Sequence, residues 1–216
     1  MDISTIVALL IITPFWGYYV DSHNGGKRAF IENGEFEVSF VVPNESGWVK
    51  QHGDSFGRFT SFIRLIKNDE SSNENKEIEA YIIDLDRSFY PISTSIPKVE
   101  KIIQEHFDGV LEYRLHDLHI EIYSRNNQCI RIHALLEDAR SPGHENTKKW
   151  SEQYALLCAL PNNQRKAFEI RYYQRYYDNN KDDKFEIRAN KLFKSIKIKA
   201  GKRSLRAIWR SMLYKY

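Results

Sequence analysis

Between residues 151 and 198 the spacing of apolar residues changes from two to about 3.6, and this change constrains the fold more than any other feature. Residues 153–160 (Gln-Tyr-Ala-Leu-Leu-Cys-Ala-Leu) are apolar enough for a buried strand. Pro161, Asn162, Asn163 and Gln164 supply turn chemistry, because Pro presets φ and Asn tolerates left-handed geometry. Phe168, Ile170 and Tyr172 then alternate with Glu169, Arg171 and Tyr173, which predicts a strand with one wet face. From Asp182 onward Phe185, Ala189, Leu192, Phe193 and Ile196 fall at helical spacing and form one stripe. Asp183 and Glu186 have the three-residue spacing of a capping box. A hairpin feeding an amphipathic helix must bury that stripe on its own sheet, so the expected class is layered α+β.

The 216 residues suit one domain with extensions. Hydrophobic residues at 42%, with 13% aromatics, are enough for a substantial core and exclude wholesale disorder. A formal charge of +3 does not by itself single out nucleic acid. The excess lies in the tail, where Lys199, Lys202, Arg203, Arg206, Arg210 and Lys215 stand without an acid. Cys129 and Cys158 each fall in a strand-like run, too few for a disulfide scaffold. They read as buried free thiols, and pairing requires neighbouring strands in register. The redox compartment is left open.

In chain order, residues 3–20 carry no charge and lie between Asp2 and Asp21, at the lower limit of a bilayer span. Pro14, Phe15, Trp16, Tyr18 and Tyr19 suit an interfacial end, although no basic residue precedes the run and no small-x-small site follows it. The expectation is a membrane anchor or signal-like segment over 1–22, with a buried soluble segment as the alternative. Lys27 and Arg28 favour a cytoplasmic body, whereas an atypical export signal places it outside. Asn24, Gly25 and Gly26 predict a flexible joint within a linker over 23–34. The folded domain is expected over 35–198. Its strands are 36–42, 60–67, 78–85, 118–122, 130–136 and the hairpin above; a first helix starts at Ser95 and Pro97 and stops at Gly109. Residues 44–58 read as a polar loop with Trp48 plugging the core edge. The result is a largely antiparallel sheet covered by two amphipathic helices. Over 199–216 a basic amphipathic helix is expected, presenting Leu205, Ile208, Trp209, Met212 and Leu213 on one face. Arg206, Trp209, Arg210 and Leu213 are its candidate contacts with a partner or membrane.

Chemical motifs are sparse. His116 and His119 are metal-ligating types, but on a strand that spacing sends them to opposite faces. Asp84 and Asp86 share a face at a strand end and suit Mg²⁺ with a phosphate, without a Gly-rich loop to accompany them. No nucleophile elbow, phosphate loop or dinucleotide fingerprint is present. The expectation is a non-enzyme without catalytic residues, metal or cofactor. Arg171, Tyr173 and Arg175 interleave cations with an aromatic on the expected wet face, the pattern that stacks bases and contacts phosphates.

A strand ending at Pro43, Trp48 soon after, a middle helix, two long hairpins and a closing helix running into Lys-Leu-Phe-Lys-Ser-Ile-Lys-Ile together resemble the PsbP-like α/β sandwich over about 35–198. That resemblance implies an antiparallel sheet between helices and a non-enzymatic role: accessory subunit of a membrane complex, small binding protein, or immunity protein. Three readings follow. The first is an accessory or protein-binding module at a membrane, on a side the sequence leaves open. The second is an immunity or inhibitor protein that occludes a toxin or enzyme. The third is a nucleic-acid-binding protein using residues 171–177 and the basic tail.

Overall fold

The computed structural model describes residues 20–23, 25–33, 35–52, 59–69, 74–84, 96–108, 113–123, 129–138, 148–161, 163–178 and 180–200. The strands are β1 (Val20–His23), β2 (Arg28–Glu32), β3 (Phe36–Val41), β4 (Trp48–His52), β5 (Phe59–Asp69) and β6 (Glu74–Asp84). Helix α1 (Ile96–Asp108) leads to β7 (Tyr113–Tyr123), β8 (Cys129–Asp138), β9 (Lys149–Leu160) and β10 (Asn163–Tyr177). Helix α2 (Phe185–Lys194) and β11 (Lys197–Ala200) follow. An eight-stranded sheet has the order β1-β4-β5-β6-β10-β9-β8-β7, and a three-stranded sheet the order β11-β3-β2. Their pairings are antiparallel. The mostly antiparallel α+β class expected from the residue spacing is therefore the one observed.

The large sheet buries apolar side chains on both faces. On one face, Trp48, Ile63, Leu65, Ile78, Leu156, Phe168 and Ile170 share a core with Ala29, Ile31, Val38 and Phe40 of the small sheet. Phe185, Ala189, Leu192 and Phe193 of α2 complete it. Burying each large side chain of that stripe contributes on the order of 2 kcal/mol. On the other face, Ile83, Ile130, Ile132, Leu157 and Ala159 meet Val99 and Ile103 of α1. The run from Leu156 to Leu160 is buried at every position, because the middle of the sheet has two covered faces.

A charged joint sets the start of α2. Buried Lys76 holds Glu45 at 3.1 Å and Asp182 at 2.6 Å, and Arg188 reaches Glu45 at 3.0 Å while also bonding Asp182. Burial pushes the Glu45 carboxyl upward, but Lys76, Lys67 and Arg188 overcome it and hold the group low. Lys184 occupies the N-cap without a side-chain cap, so the Asp183–Glu186 capping box does not form. Asp182 takes over, its carboxylate accepting from Lys184 N–H at 3.0 Å and its carbonyl from Phe185 N–H at 2.9 Å. At the far end Ser195 donates to Leu192 O at 2.6 Å and accepts from Val41 N–H at 2.7 Å, tying the helix to β3.

Several boundaries differ from those expected. Strand β2 lies within 23–34, the expected linker, with alternating exposure set by Ala29 and Ile31 facing inward. The glycines there form a packed turn. Gly26 has φ +80° and donates to Val42 O at 2.9 Å, and a Cβ at Gly25 would meet the Glu45 carbonyl at 2.1 Å. The expected loop 44–58 contains β4, where Trp48 is 1% exposed. Residues 199 and 200 belong to β11, whereas 201–216 lie outside the described residues. The apolar segment 3–20 also lies outside them, except Val20, which opens β1.

Candidate functional site

The residues that share an open polar surface do so because of one irregularity. Strand β7 is an edge of the large sheet, and its register with β8 shifts between Leu115 and Asp117, leaving His116 as the extra residue of a bulge. Tyr113 and Leu115 before the bulge, and Leu118 and Ile120 after it, pack on the α1 side. The odd–even sense of the strand therefore reverses at His116. His116 and His119 were expected on opposite faces; the bulge brings both to the α2 side. His116 Nε2 lies 2.7 Å from Glu137, and its ring meets Trp150 edge-on at 4.8 Å. His119 lies 3.6 Å from Glu121, which accepts from Arg131 at 3.1 Å.

His133 on β8 occupies the centre. Its ring stacks on Tyr154 at 4.4 Å and 19°, with Nε2 3.1 Å from Glu152 and Nδ1 3.6 Å from Asp117. Glu152 is only 3% exposed, and also receives Gln174 at 3.0 Å and Lys181 at 3.3 Å. Burial alone raises such a carboxyl; the hydrogen bonds from His133 and Gln174 and the charge of Lys181 outweigh it and hold Glu152 low. Arg131 lies over the Tyr154 ring at 5.1 Å and bonds Glu186 of α2 at 3.0 Å, so one guanidinium links β7, β8 and α2. Burial, with Glu152 beside it, pushes the Tyr154 phenol upward. At the rim Glu137 takes Lys148 at 3.2 Å, and Asp178 accepts from Trp150 and from Lys148 N–H. Hydrogen bonds from His116 and Lys148 hold Glu137 low, and those from Trp150 and Lys148 do the same for Asp178.

Two strands of this surface are joined covalently. Cys129 and Cys158 stand directly opposite on β8 and β9, with Cα atoms 4.0 Å apart, and form a disulfide. Their reading as free thiols is thereby corrected. Both cysteines are buried, but burial did not distinguish the readings; register did.

The other residues singled out in the sequence have structural partners. Asp84 pairs with Lys166 at 2.9 Å, while Asp86 lies outside the described residues. Arg171 is not on a wet face: it is 4% exposed and Glu169 is 0% exposed. Across β5, β6 and β10, Arg64, Glu79 and Arg171 stand in register as a row, buried at Glu79 and Arg171 and half-buried at Arg64. Arg64 bonds Glu77, at 2.9 Å to Oε2. Arg171 bonds Glu169 at 2.5 Å, lies 3.5 Å from Glu79 and stands 5.3 Å from the Tyr81 ring. Burial outweighs Arg171 and pushes the Glu169 carboxyl up, and burial takes the Tyr173 phenol to about 12. Arg175 sits 5.9 Å from the Tyr173 ring. Arg206, Trp209, Arg210 and Leu213 lie outside the described residues.

Among the described residues no group of three or more His, Cys, Asp and Glu is arranged to hold a metal ion. Nor is any helix among them long and apolar enough to cross a membrane. What the surface offers chemically is a set of fixed donors and acceptors of both signs, on rigid strands. Arg131, His133, Glu152 and Tyr154 at its centre were not singled out from the sequence, since they belong to two separate strand patterns, β8 and β9, that only register unites. No protein-family model matches the chain, and no curated protein matches it.

Proposed function

We propose that this chain is a non-enzymatic protein-binding module held at a membrane, and that it recognises its partner through the open β7–β8–β9 surface. The observation that carries this reading is the rigid arrangement of Asp117, Glu121, Arg131, His133 and Glu186, paired with one another yet partly open to solvent. Charges fixed in this way select among partners by complementarity more than they add raw affinity. The uncharged run 3–20 and the basic tail supply the membrane contacts. The disulfide favours the oxidising side of that membrane, which makes residues 3–20 an export signal or anchor. On this reading the body is a PsbP-like sandwich with two covering helices, an architecture of accessory subunits.

The test is co-purification from native membranes with wild-type protein and an Asp117→Lys/Glu121→Lys variant. A stoichiometric partner retained by the wild type and lost by an equally stable variant is the expected result. Retention by both removes this surface from the reading, and a protein that stays in the soluble fraction without detergent removes the membrane.

A further inference from the structure

The three-stranded sheet has an outer face to which the partner-binding surface makes no claim. Phe30 on β2 is the most exposed large hydrophobic residue among those described, at 58%. Across the sheet it lines up with Ser39 and Lys197, while Glu32 lines up with Glu37 and Lys199. Arg28 lies along the same face, bonding Ser39 Oγ at 3.1 Å and Ser195 O at 3.2 Å. Lys50 of β4 brings its ammonium to 5.9 Å from the Phe30 ring, and exposed Lys194 directly precedes Ser195. An exposed aromatic thus stands among Arg28, Lys50, Lys197 and Lys199, with Glu32 and Glu37 as the carboxylates of the face and Glu37 at 3.9 Å from Lys199.

Both ends of the described chain depart from this face. Asp21 of β1 is the register partner of Lys50, and β1 opens at Val20, the last residue of the uncharged run. Strand β11 ends at Ala200, opposite Phe36, and passes directly into the acid-free tail with Lys202, Arg203, Arg206, Arg210 and Lys215.

We infer that this face docks on an anionic phospholipid bilayer, with Phe30 at the headgroup boundary and the cations against phosphate and carboxylate headgroups. The inference rests on the membrane reading above and names the surface and lipid class. Each Lys or Arg near an anionic leaflet strengthens association by a factor of about five, and the effect falls off within a Debye length. An aromatic ring beside those cations suits the boundary between headgroups and acyl chains. Nucleic acid would use the same cations without placing Phe30 among lipids.

The experiment uses the full chain with a fluorophore on Glu32→Cys, on the same exposed face as Phe30, the native cysteines being joined in their disulfide. It is mixed with vesicles of phosphatidylcholine alone, or of equimolar phosphatidylcholine and phosphatidylserine, each carrying a headgroup-level quencher. The expected result is flotation with the phosphatidylserine vesicles and quenching there that exceeds the phosphatidylcholine level. In a Lys197→Gln/Lys199→Gln variant, quenching is expected to be lost at lower salt. Failure to float with either vesicle overturns the membrane reading and this inference together. Flotation without quenching, equal quenching in both vesicles, or quenching indifferent to the lysine pair overturns the inference alone. So does an RNA duplex bound through Lys197 and Lys199 while the probe beside Phe30 stays unquenched.

Discussion

The large sheet carries two polar networks built from the same kinds of residue, and their difference lies in cover. One is the row of half-buried Arg64 with buried Glu77, Glu79, Glu169 and Arg171; the other is the partly open cluster of Arg131, Glu121, Glu152 and Glu186 around His133. In the first, Glu169 is 0% exposed and burial raises its carboxyl; in the second, Glu152 is 3% exposed but held low by His133, Gln174 and Lys181. Two little-exposed glutamates thus have opposite electrostatic outcomes, Glu169 lying deeper and beside the like charge of Glu79. Depth of burial, set against the donors and charges each carboxylate receives, decides the sign.

The largest expected effect comes from removing a cation under cover. Arg171→Leu leaves buried Glu169 without its guanidinium, while Glu79 keeps Arg64 at 3.7 Å, and is expected to cost about 3–5 kcal/mol in urea unfolding. Arg131→Leu, whose carboxylate partners are 43% and 57% exposed, is expected to cost about 1 kcal/mol or less. Equal losses would remove the distinction between the networks. Next comes the disulfide, which joins residues 29 positions apart. A Cys129→Ser/Cys158→Ser chain is expected to lose about 3–4 kcal/mol of stability. Hydrogen exchange should then quicken in β8 and β9 before β5 and β6; uniform quickening would mean the two regions open as one.

The pH response separates the networks by sign. Glu152 has a lowered carboxyl in the folded chain, so its stabilising effect is present above the unfolded value and fades as pH falls through the folded one. Glu169 has a raised carboxyl, so its contribution is present at low pH and fades as pH rises through the folded value. Relative to wild type, Glu152→Gln should therefore lose ground as pH rises from the lowered folded value toward about 4, the ordinary carboxyl range, and keep a constant deficit above it. Glu169→Gln should gain ground over its own, higher interval. Parallel pH–stability curves for the two variants would contradict the assignment. The smallest effect belongs to His119→Ala, whose ring is 67% exposed; a change within about 0.5 kcal/mol is expected in the same unfolding assay.

Much of the frame could be read from residue spacing, because long hairpins and an amphipathic helix repeat their signal many times. The 78–85 and 130–136 runs, the Pro97 helix start and the α2 stripe all correspond to observed elements. Strands β1, β2, β4 and β11, of four or five residues each, are too short to repeat it. Arg28-Ala-Phe-Ile-Glu does alternate, but its glycine-rich approach reads as a joint. The face bearing Glu169 and Arg171 was misread for another reason. Alternation reports polarity, and polarity equals exposure only when no neighbouring strand supplies the opposite charge. Glu79 and Arg64 supply it from strands distant in the chain. The disulfide and the His133 cluster were hidden similarly, since both depend on which residues stand opposite one another.

The extra residue at His116 makes β7 count its sides in two phases, odd up to Leu115 and even from Leu118. Shortening the chain by one residue there would force either Tyr113 and Leu115, or Leu118 and Ile120, out of the core. Length at this point is thus more tightly constrained than composition: almost any side chain can stand at 116, but some residue must.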